Sequence, residues 1–516
     1  MAVKPVAPTR MICVVAPTRM ICEVAPTRMI RAAGARAVAA VIAAAAVAAL
    51  LPALTASVAW AQASPPYASG QLVVGYSPPI ASVVADVRTA GAMTVGGAPV
   101  VSDPGVQVLT LPRGRSVLAA AARIRTLPGI TYAVPEYLAH AAAETGSSPW
   151  FPNDPGRAGV PGGWQKLQWN FLAASGVNAP VAWANLIHDH RAGARGVVIA
   201  VLDTGIAYRK WKTFDRSPDF GGTRFVSPCD LVAGGIKHGK CTDPYALDRN
   251  GHGTFVAGMI AEATNNRIGL TGLAYGASIM PVRVLDSSGL GEPTTIAEGI
   301  RYAVQHGAQV INLSLQFYLG VTAHDIPEII SAINYAHAHR VIVVASAGND
   351  GAEQLAYPAK AASVVSVGAT TIDRCLAAYS DAGSGLDLVA PGGGDDAAEP
   401  DDVDCHPERL LPDVYQETFT TVNRPDKFGL PGGWYGTSMS APEVSAAAAM
   451  VIASGVIGRR PTPEQILTRL EETAQPLGGA VPNRDYGYGL LDIGAATTPG
   501  PPAPPASPPP TSPPPT

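Results

Sequence analysis

The chain has 516 residues, of which 47% are apolar and only 15% charged, with a formal net charge of −4. Such a length exceeds one ordinary domain, and such a composition excludes a wholly disordered chain. The near-neutral balance gives no electrostatic reason to expect a nucleic-acid or anionic-membrane partner. At the N-terminus, Val-Ala-Pro-Thr-Arg-Met-Ile recurs from Val6, Val15 and Val24. It is read as a stretch ahead of the true start, with Met11, Met20 and Met29 as possible starts; a short binding tag is the alternative. Arg31 and Arg36 then precede an apolar run over 37–58, and Ala61-Gln-Ala63 has the small-x-small form of a signal-peptidase site. The run is long enough for a retained anchor. The Pro-rich Ser64-Pro-Pro that follows favours cleavage, export and no membrane attachment afterwards. Residues 1–63 are therefore set apart as repeat and signal.

Residues 64–145 read as a small α+β unit. Strands are expected at 71–76, 106–111 and 130–134, and Val117, Ala120, Ala121 and Ile124 place a helix over 116–126. Between 146 and 495, apolar runs at 196–202, 279–285, 310–315, 341–345 and 364–367 alternate with helical stretches at 254–263, 295–306 and 326–338. Continuous apolar strands are those buried on both faces, so the alternation predicts an α/β fold: a doubly wound, mostly parallel sheet with helices on both sides. Residues 496–516 are Pro, Ser, Ala, Thr and Gly, expected as an extended, solvated tail.

Cysteine usage agrees with export. Cys13 and Cys22 lie in the repeat, leaving Cys229, Cys241, Cys375 and Cys405. An even number in an exported chain implies disulfides, and three pairings are open. Cys229–Cys241 and Cys375–Cys405 are favoured because each would close a loop within one inserted segment. A four-cysteine zinc site is disfavoured because no Cys-x-x-Cys pair is present.

Three short segments carry the chemistry: Val201-Leu-Asp-Thr-Gly-Ile206, Asn250-Gly-His-Gly-Thr-Phe255 and Tyr435-Gly-Thr-Ser-Met-Ser-Ala-Pro442. They supply a carboxylate, an imidazole and a hydroxyl, the groups that acyl transfer by a serine nucleophile needs. Asp203 follows an apolar strand, where ligands of α/β sheets bind. His252 and Ser438 each open a helical stretch, and a helix start favours negative charge developing on the serine oxygen. A serine there is otherwise only a cap. Val344-Ala-Ser-Ala-Gly-Asn349 follows another apolar strand, and its amide can donate to an oxyanion together with the Ser438 N–H. No Gly-x-Ser-x-Gly elbow surrounds Ser438, which argues against an α/β-hydrolase.

These four segments together resemble the signatures of the subtilisin family of secreted serine endopeptidases. The resemblance spans about residues 165–495, and residues 64–145 are similar in place and size to that family's ferredoxin-like pro-domain, a folding aid and intramolecular inhibitor. An independent binding domain is the alternative for that segment. The resemblance implies that Asp203 orients the imidazole, His252 is general base then acid, Ser438 attacks the peptide carbonyl and Asn349 stabilises the oxyanion. It further implies polypeptide substrates lying against Ser314, Leu315, Gln316, Gly289, Gly291, Ala347 and Gly348, a monomer, and maturation within 139–149. It also implies structural calcium: Thr264-Asn-Asn-Arg-Ile-Gly269 resembles the family's calcium loop, in which backbone carbonyls and an Asn amide oxygen coordinate the ion, so that Thr264, Ile268 and Leu270 join the Asn266 amide as ligands, with Asp219 as the carboxylate and Gln165 or Gln168 as a further donor. Oxygen donors suit that cation. Two departures stand out. Glu443-Val444 and Ala446 replace the family's His-Val and Gly, at positions expected to pack the helix. Gln316 replaces a Gly and is expected to narrow the pocket, giving a small P1 preference. Two other readings compete. An acid-acting sedolisin would carry Glu for His252 and Asp for Asn349; a catalytically silent binding protein would not need the full set.

Overall fold

The computed structural model describes residues 14–16, 19–21, 67–76, 106–111, 116–137, 148–398 and 405–499. The apolar run at 37–58, the cleavage motif, most of the maturation segment and residues 500–516 of the tail lie outside them, whereas Ala496 and Thr497, expected in the extended tail, are buried at the end of the short helix Ile493–Thr497. Chain contacts separate Pro26–Glu144 from a larger unit made of Thr145–Thr516 and Met1–Ala25. In the smaller unit, β1 (Tyr67–Tyr76) lies between β2 (Val106–Thr110) and β3 (Ile130–Tyr137), antiparallel to both. Helix α1 (Val117–Ile124) starts at Ser116, whose hydroxyl accepts the Ala119 N–H. Leu72 and Val74 at strand spacing meet Val117, Ala121 and Ile124 at helical spacing in one small core.

The larger unit is built on a parallel sheet. Its strands are β4 (Val198–Asp203), β5 (Ser278–Arg283), β6 (Val310–Leu313), β7 (Ile342–Ser346), β8 (Val364–Thr370) and β9 (Leu388–Pro391). Their spatial order is β9-β8-β7-β6-β4-β5, with the short strands Arg224–Phe225 and Cys229–Asp230 added on β5. Along β4, Ile199 and Val201 enter one core while Ala200 and Leu202 enter the other. That is why the strand reads as an unbroken apolar run rather than an alternating one.

On the first face lie α2 (Ala179–His188), α3 (His252–Ala261), α6 (Thr437–Ser454) and α7 (Pro463–Thr473). On the second lie α4 (Pro293–Gln305) and α5 (Pro327–Ala338). Helix α6 is buried along most of its length, and the run Ala446–Ala449 lets neighbouring backbones approach it closely. Among the described residues no helix is long and apolar enough to cross a membrane. Disulfides join Cys229 to Cys241 and Cys375 to Cys405. The strand order reverses between β4 and β6, while the strands stay parallel, and ligands of such sheets bind outside the strand ends at that point.

Candidate active site

Asp203 is the last residue of β4 and is fully buried. Its carboxylate accepts the Thr204 N–H at 2.7 Å and meets His252 Nδ1 through both oxygens, at 2.8 and 2.9 Å. The His252 side chain is 21% exposed against 0% for Asp203, so one edge of the ring faces solvent. Burial pulls the imidazole pKa down, but the charge and hydrogen bond of Asp203, helped by Asp248, outweigh it and leave the pKa raised. The glycines beside His252 do more than leave room for a substrate. A Cβ on Gly253 would sit 2.1 Å from the Gly205 carbonyl and 3.0 Å from Asp203 Oδ1, so Gly253 lets the two loops touch.

Asp248 organises both loops. Its Oδ1 accepts Thr204 Oγ1 at 2.9 Å, Asn250 N at 2.8 Å and Gly251 N at 3.0 Å, while Oδ2 accepts Thr254 N at 3.0 Å and Thr254 Oγ1 at 2.6 Å. The N–H groups at the start of α3 are thus shared out: Asp248 accepts those of Gly251 and Thr254, Asn250 Oδ1 that of His252 at 3.2 Å and Thr204 Oγ1 that of Gly253 at 3.0 Å. The sequence reading passed over Asp248, although a carboxylate four residues before His252 is a capping signal.

Ser438 stands on the first turn of α6, where its N–H has no intrahelical acceptor. Pro442 lies one turn on and has no N–H to give the Ser438 carbonyl. Ser314 Oγ, just beyond β6, donates to that carbonyl at 2.9 Å instead. Ser438 Oγ in turn donates to the Ser314 carbonyl at 3.4 Å rather than to His252. Asn349, beyond β7, has its Oδ1 fixed by Thr437 N at 2.8 Å and Thr437 Oγ1 at 2.9 Å. Its Nδ2 is left to donate on the exposed side.

A cleft of about 480 Å³ brings His252, Ser438, Ser314, Leu315 and Gln316 together with Gly289 and Gly291. The 286–291 turn is held by Asp286 Oδ1, which accepts Ser288 N at 2.8 Å and Leu290 N at 3.0 Å. Ala347 and Gly348 are buried behind Asn349 rather than in the cleft lining. Gln316 Nε2 donates to Asp350 Oδ2 at 2.8 Å, tying the segment after β6 to the one after β7. Glu443, at a departure from the family pattern, is buried on α6 and accepts Asn170 Nδ2 at 2.6 Å. Burial drives its pKa well up, against the weaker opposing effect of the Asn170 hydrogen bond.

A second acidic group lies apart from the cleft. Oxygens of Asp219, Glu262 and Glu417 converge within 4.8 Å of one another, and all three residues are buried. Both Glu262 oxygens lack a hydrogen-bond partner. Burial and mutual repulsion raise Glu262 well above the carboxylate range and push Asp219 to about 8; burial pushes Glu417 to about 7. The loop expected to hold calcium packs against this cluster. Asn266 offers Asp219 its Nδ2 at 2.6 Å, because its own oxygen is taken by the Ile268 N–H at 2.8 Å. Leu270 presents an N–H to Asp219 Oδ2 at 3.1 Å, Thr264 spends its hydroxyl on Thr271, and Ile268 is 46% exposed. Gln168 bonds Thr271 and Gln416, and Gln165 bonds Gly162. Glu262 and Glu417 escaped the sequence reading; an acid closing the otherwise apolar Met259-Ile-Ala-Glu262 stretch was the available signal.

Residues 194–489 match the subtilase family, and residues 53–136 match the fervidolysin N-terminal prodomain. Subtilisin Savinase of Lederbergia lenta is 34% identical over 340 residues, covering 64% of this chain and 99% of that protein. Subtilisin E of Bacillus subtilis is 35% identical over 327 residues, 61% of this chain and 68% of that protein. A solved protease of Pseudoalteromonas arctica superposes with a TM-score of 0.52 at 29% identity, covering 67% of this chain and 98% of that one.

Proposed function

Because the chain belongs to the subtilase family and is a serine endopeptidase of the subtilisin type carrying a prodomain, we propose that Asp203, His252 and Ser438 are its triad and Asn349 its oxyanion donor. The observation that carries this reading is the double contact of Asp203 with His252 Nδ1 in a cleft shared with Ser438. With Nδ1–H held by Asp203, the other ring nitrogen, Nε2, is the one left to accept a proton. Ser438 Oγ turns from the Ser314 carbonyl, loses its proton to Nε2 and attacks the peptide carbonyl. Such hydrogen bonds tighten only once substrate is bound. The tetrahedral oxyanion accepts from Asn349 Nδ2 and the Ser438 N–H. The protonated His252 then gives its proton to the leaving amine, and water releases the acyl group by the reverse steps. Since His252 must be neutral to act as base and its pKa is raised, activity climbs as pH rises through that value.

The substrate is a polypeptide whose strand lies along Ser314–Gln316 and Gly289–Gly291. The Gln316–Asp350 bond supports a narrowed primary pocket with a small P1 preference. The reading extends to a secreted, monomeric enzyme made as residues 64–145 plus 146–495 and cut by itself within 139–149. Calcium is the structural cofactor, held by Asp219, Glu262 and Glu417; it would neutralise three buried carboxylates, of which Glu262 has both oxygens without a hydrogen-bond partner. A fluorophosphonate probe tests the catalytic claim. It should label Ser438 in the processed protein and fail with Ser438→Ala. An unlabelled, correctly folded wild type would favour the silent binding protein. N-terminal sequencing of secreted wild type and Ser438→Ala should show the pro-segment retained only in the variant.

A further inference from the structure

Asp381 lies in the loop between β8 and β9, away from the cleft lining, and is fully buried. Its Oδ1 accepts the Asp350 N–H at 3.0 Å and the Ala352 N–H at 2.8 Å. Its own N–H donates to the Gly348 carbonyl at 3.0 Å. The residues immediately before and after Asn349 are therefore both held by Asp381. Two further bonds, Gly351 N to the Tyr379 carbonyl at 2.8 Å and Ala382 N to the Ala352 carbonyl at 2.9 Å, complete the seam between the two loops.

The other oxygen, Oδ2, is buried with no hydrogen-bond partner. It lies directly under Gly348, where a Cβ would be 1.9 Å away and where φ is +126°, so only glycine fits above the carboxylate. A buried, half-satisfied acid is costly and calls for an explanation beyond packing. The explanation is in what the two loops hold. Thr437 fixes the Asn349 side chain from α6 and also meets the Gly348 N–H and carbonyl before it, whereas the chain after Asn349 is held by Asp381 through the Asp350 and Ala352 N–H groups.

We infer that Asp381 is a positioning residue for the oxyanion donor: its carboxylate and N–H clamp the chain on both sides of Asn349 and so fix where the Asn349 amide points. The inference rests on the reading of Asn349 given above. Geometry matters here because an electrostatic donor acts only where charge develops, and small displacements of such groups are felt in kcat more than in KM.

A double-mutant cycle tests it. The wild type, Asp381→Ala, Asn349→Leu and the double variant are matured by added wild-type protease, repurified by affinity tag and assayed on one soluble peptide, with Tm recorded for each. Asn349→Leu should lower kcat by roughly 10²- to 10³-fold. Asp381→Ala should lower kcat about tenfold with KM changed less than about twofold. In the Asn349→Leu background the same change should cost less than about twofold, because the group it positions is gone. A full, additive loss in the double variant overturns the positioning role and leaves Asn349 intact as donor. An unchanged kcat in Asn349→Leu overturns both. Should Asp381→Ala fail to fold, Asp381→Asn replaces it: its amide oxygen still accepts both N–H groups, so kcat should stay within about threefold of wild type. A larger loss that is equal in both backgrounds overturns the inference.

Discussion

Asp203 and Asp219 are both buried carboxylates of the same domain, sixteen positions apart, yet their surroundings differ in kind. Asp203 is met by Thr204 and His252 and needs nothing from outside the chain. Asp219 faces two more acids, one of them with both oxygens unpartnered. A carboxylate supplied with donors is a finished tool. Three carboxylates converging within 4.8 Å repel one another, and that repulsion is why a cation is proposed there. The first region should therefore fail in rate and the second in stability.

The largest effect expected is on the first region. Ser438→Ala should cut kcat by roughly 10⁶-fold with Tm unchanged, read by peptide hydrolysis and calorimetry. Asp203→Asn should lose about 10⁴-fold, because the amide can hold the wrong imidazole tautomer. A large drop in Tm with either variant would blur the contrast between the two regions. The second region is probed by chelation and pH. The acids of this cluster are raised in the folded state, to about 8 for Asp219 and about 7 for Glu417. Between the ordinary carboxylate range and those values, the metal-free fold binds protons that the unfolded chain has released. Its stability should accordingly fall as pH rises through that window. Calcium should reverse the slope, since it binds the ionised acids. Tm measured from pH 5 to 8 with and without chelator checks this, and parallel curves would break the comparison. Glu262→Gln should flatten the calcium dependence while leaving kcat of the folded enzyme in place. The smallest effect concerns the pocket: Gln316→Gly should raise kcat/KM for a large aromatic P1 about tenfold, seen in a peptide library.

The same contrast explains what could be read in the chain. Asp203, His252, Ser438 and Asn349 stand in short segments whose neighbours are themselves part of the device: turn glycines, a helix start, an apolar strand. Local sequence therefore announces them. The sheet was legible for a similar reason, since strands buried on both faces leave long apolar runs such as 196–202. Glu262 and Glu417 gave less away. Each is an unremarkable glutamate until the fold sets them side by side, and only the three-dimensional sum makes them a site. Asp381 acts by accepting backbone N–H groups from another loop, a role that leaves no pattern at fixed spacing, whereas Asp248 caps the turn and helix that follow it and stands at a capping position before His252. Asn266 shows the converse limit: the motif was recognisable, but which atom of the amide faces Asp219 depends on the turn that Ile268 closes.

The two disulfides have a consequence for a molecule that cuts polypeptides among copies of itself. Cys375 and Cys405 span thirty positions, and Cys229 and Cys241 span twelve. A sister molecule that severs the backbone inside either loop does not release a fragment. The severed ends stay tethered to a sheet that is still paired, so damage at these surfaces leaves a nicked enzyme rather than two pieces.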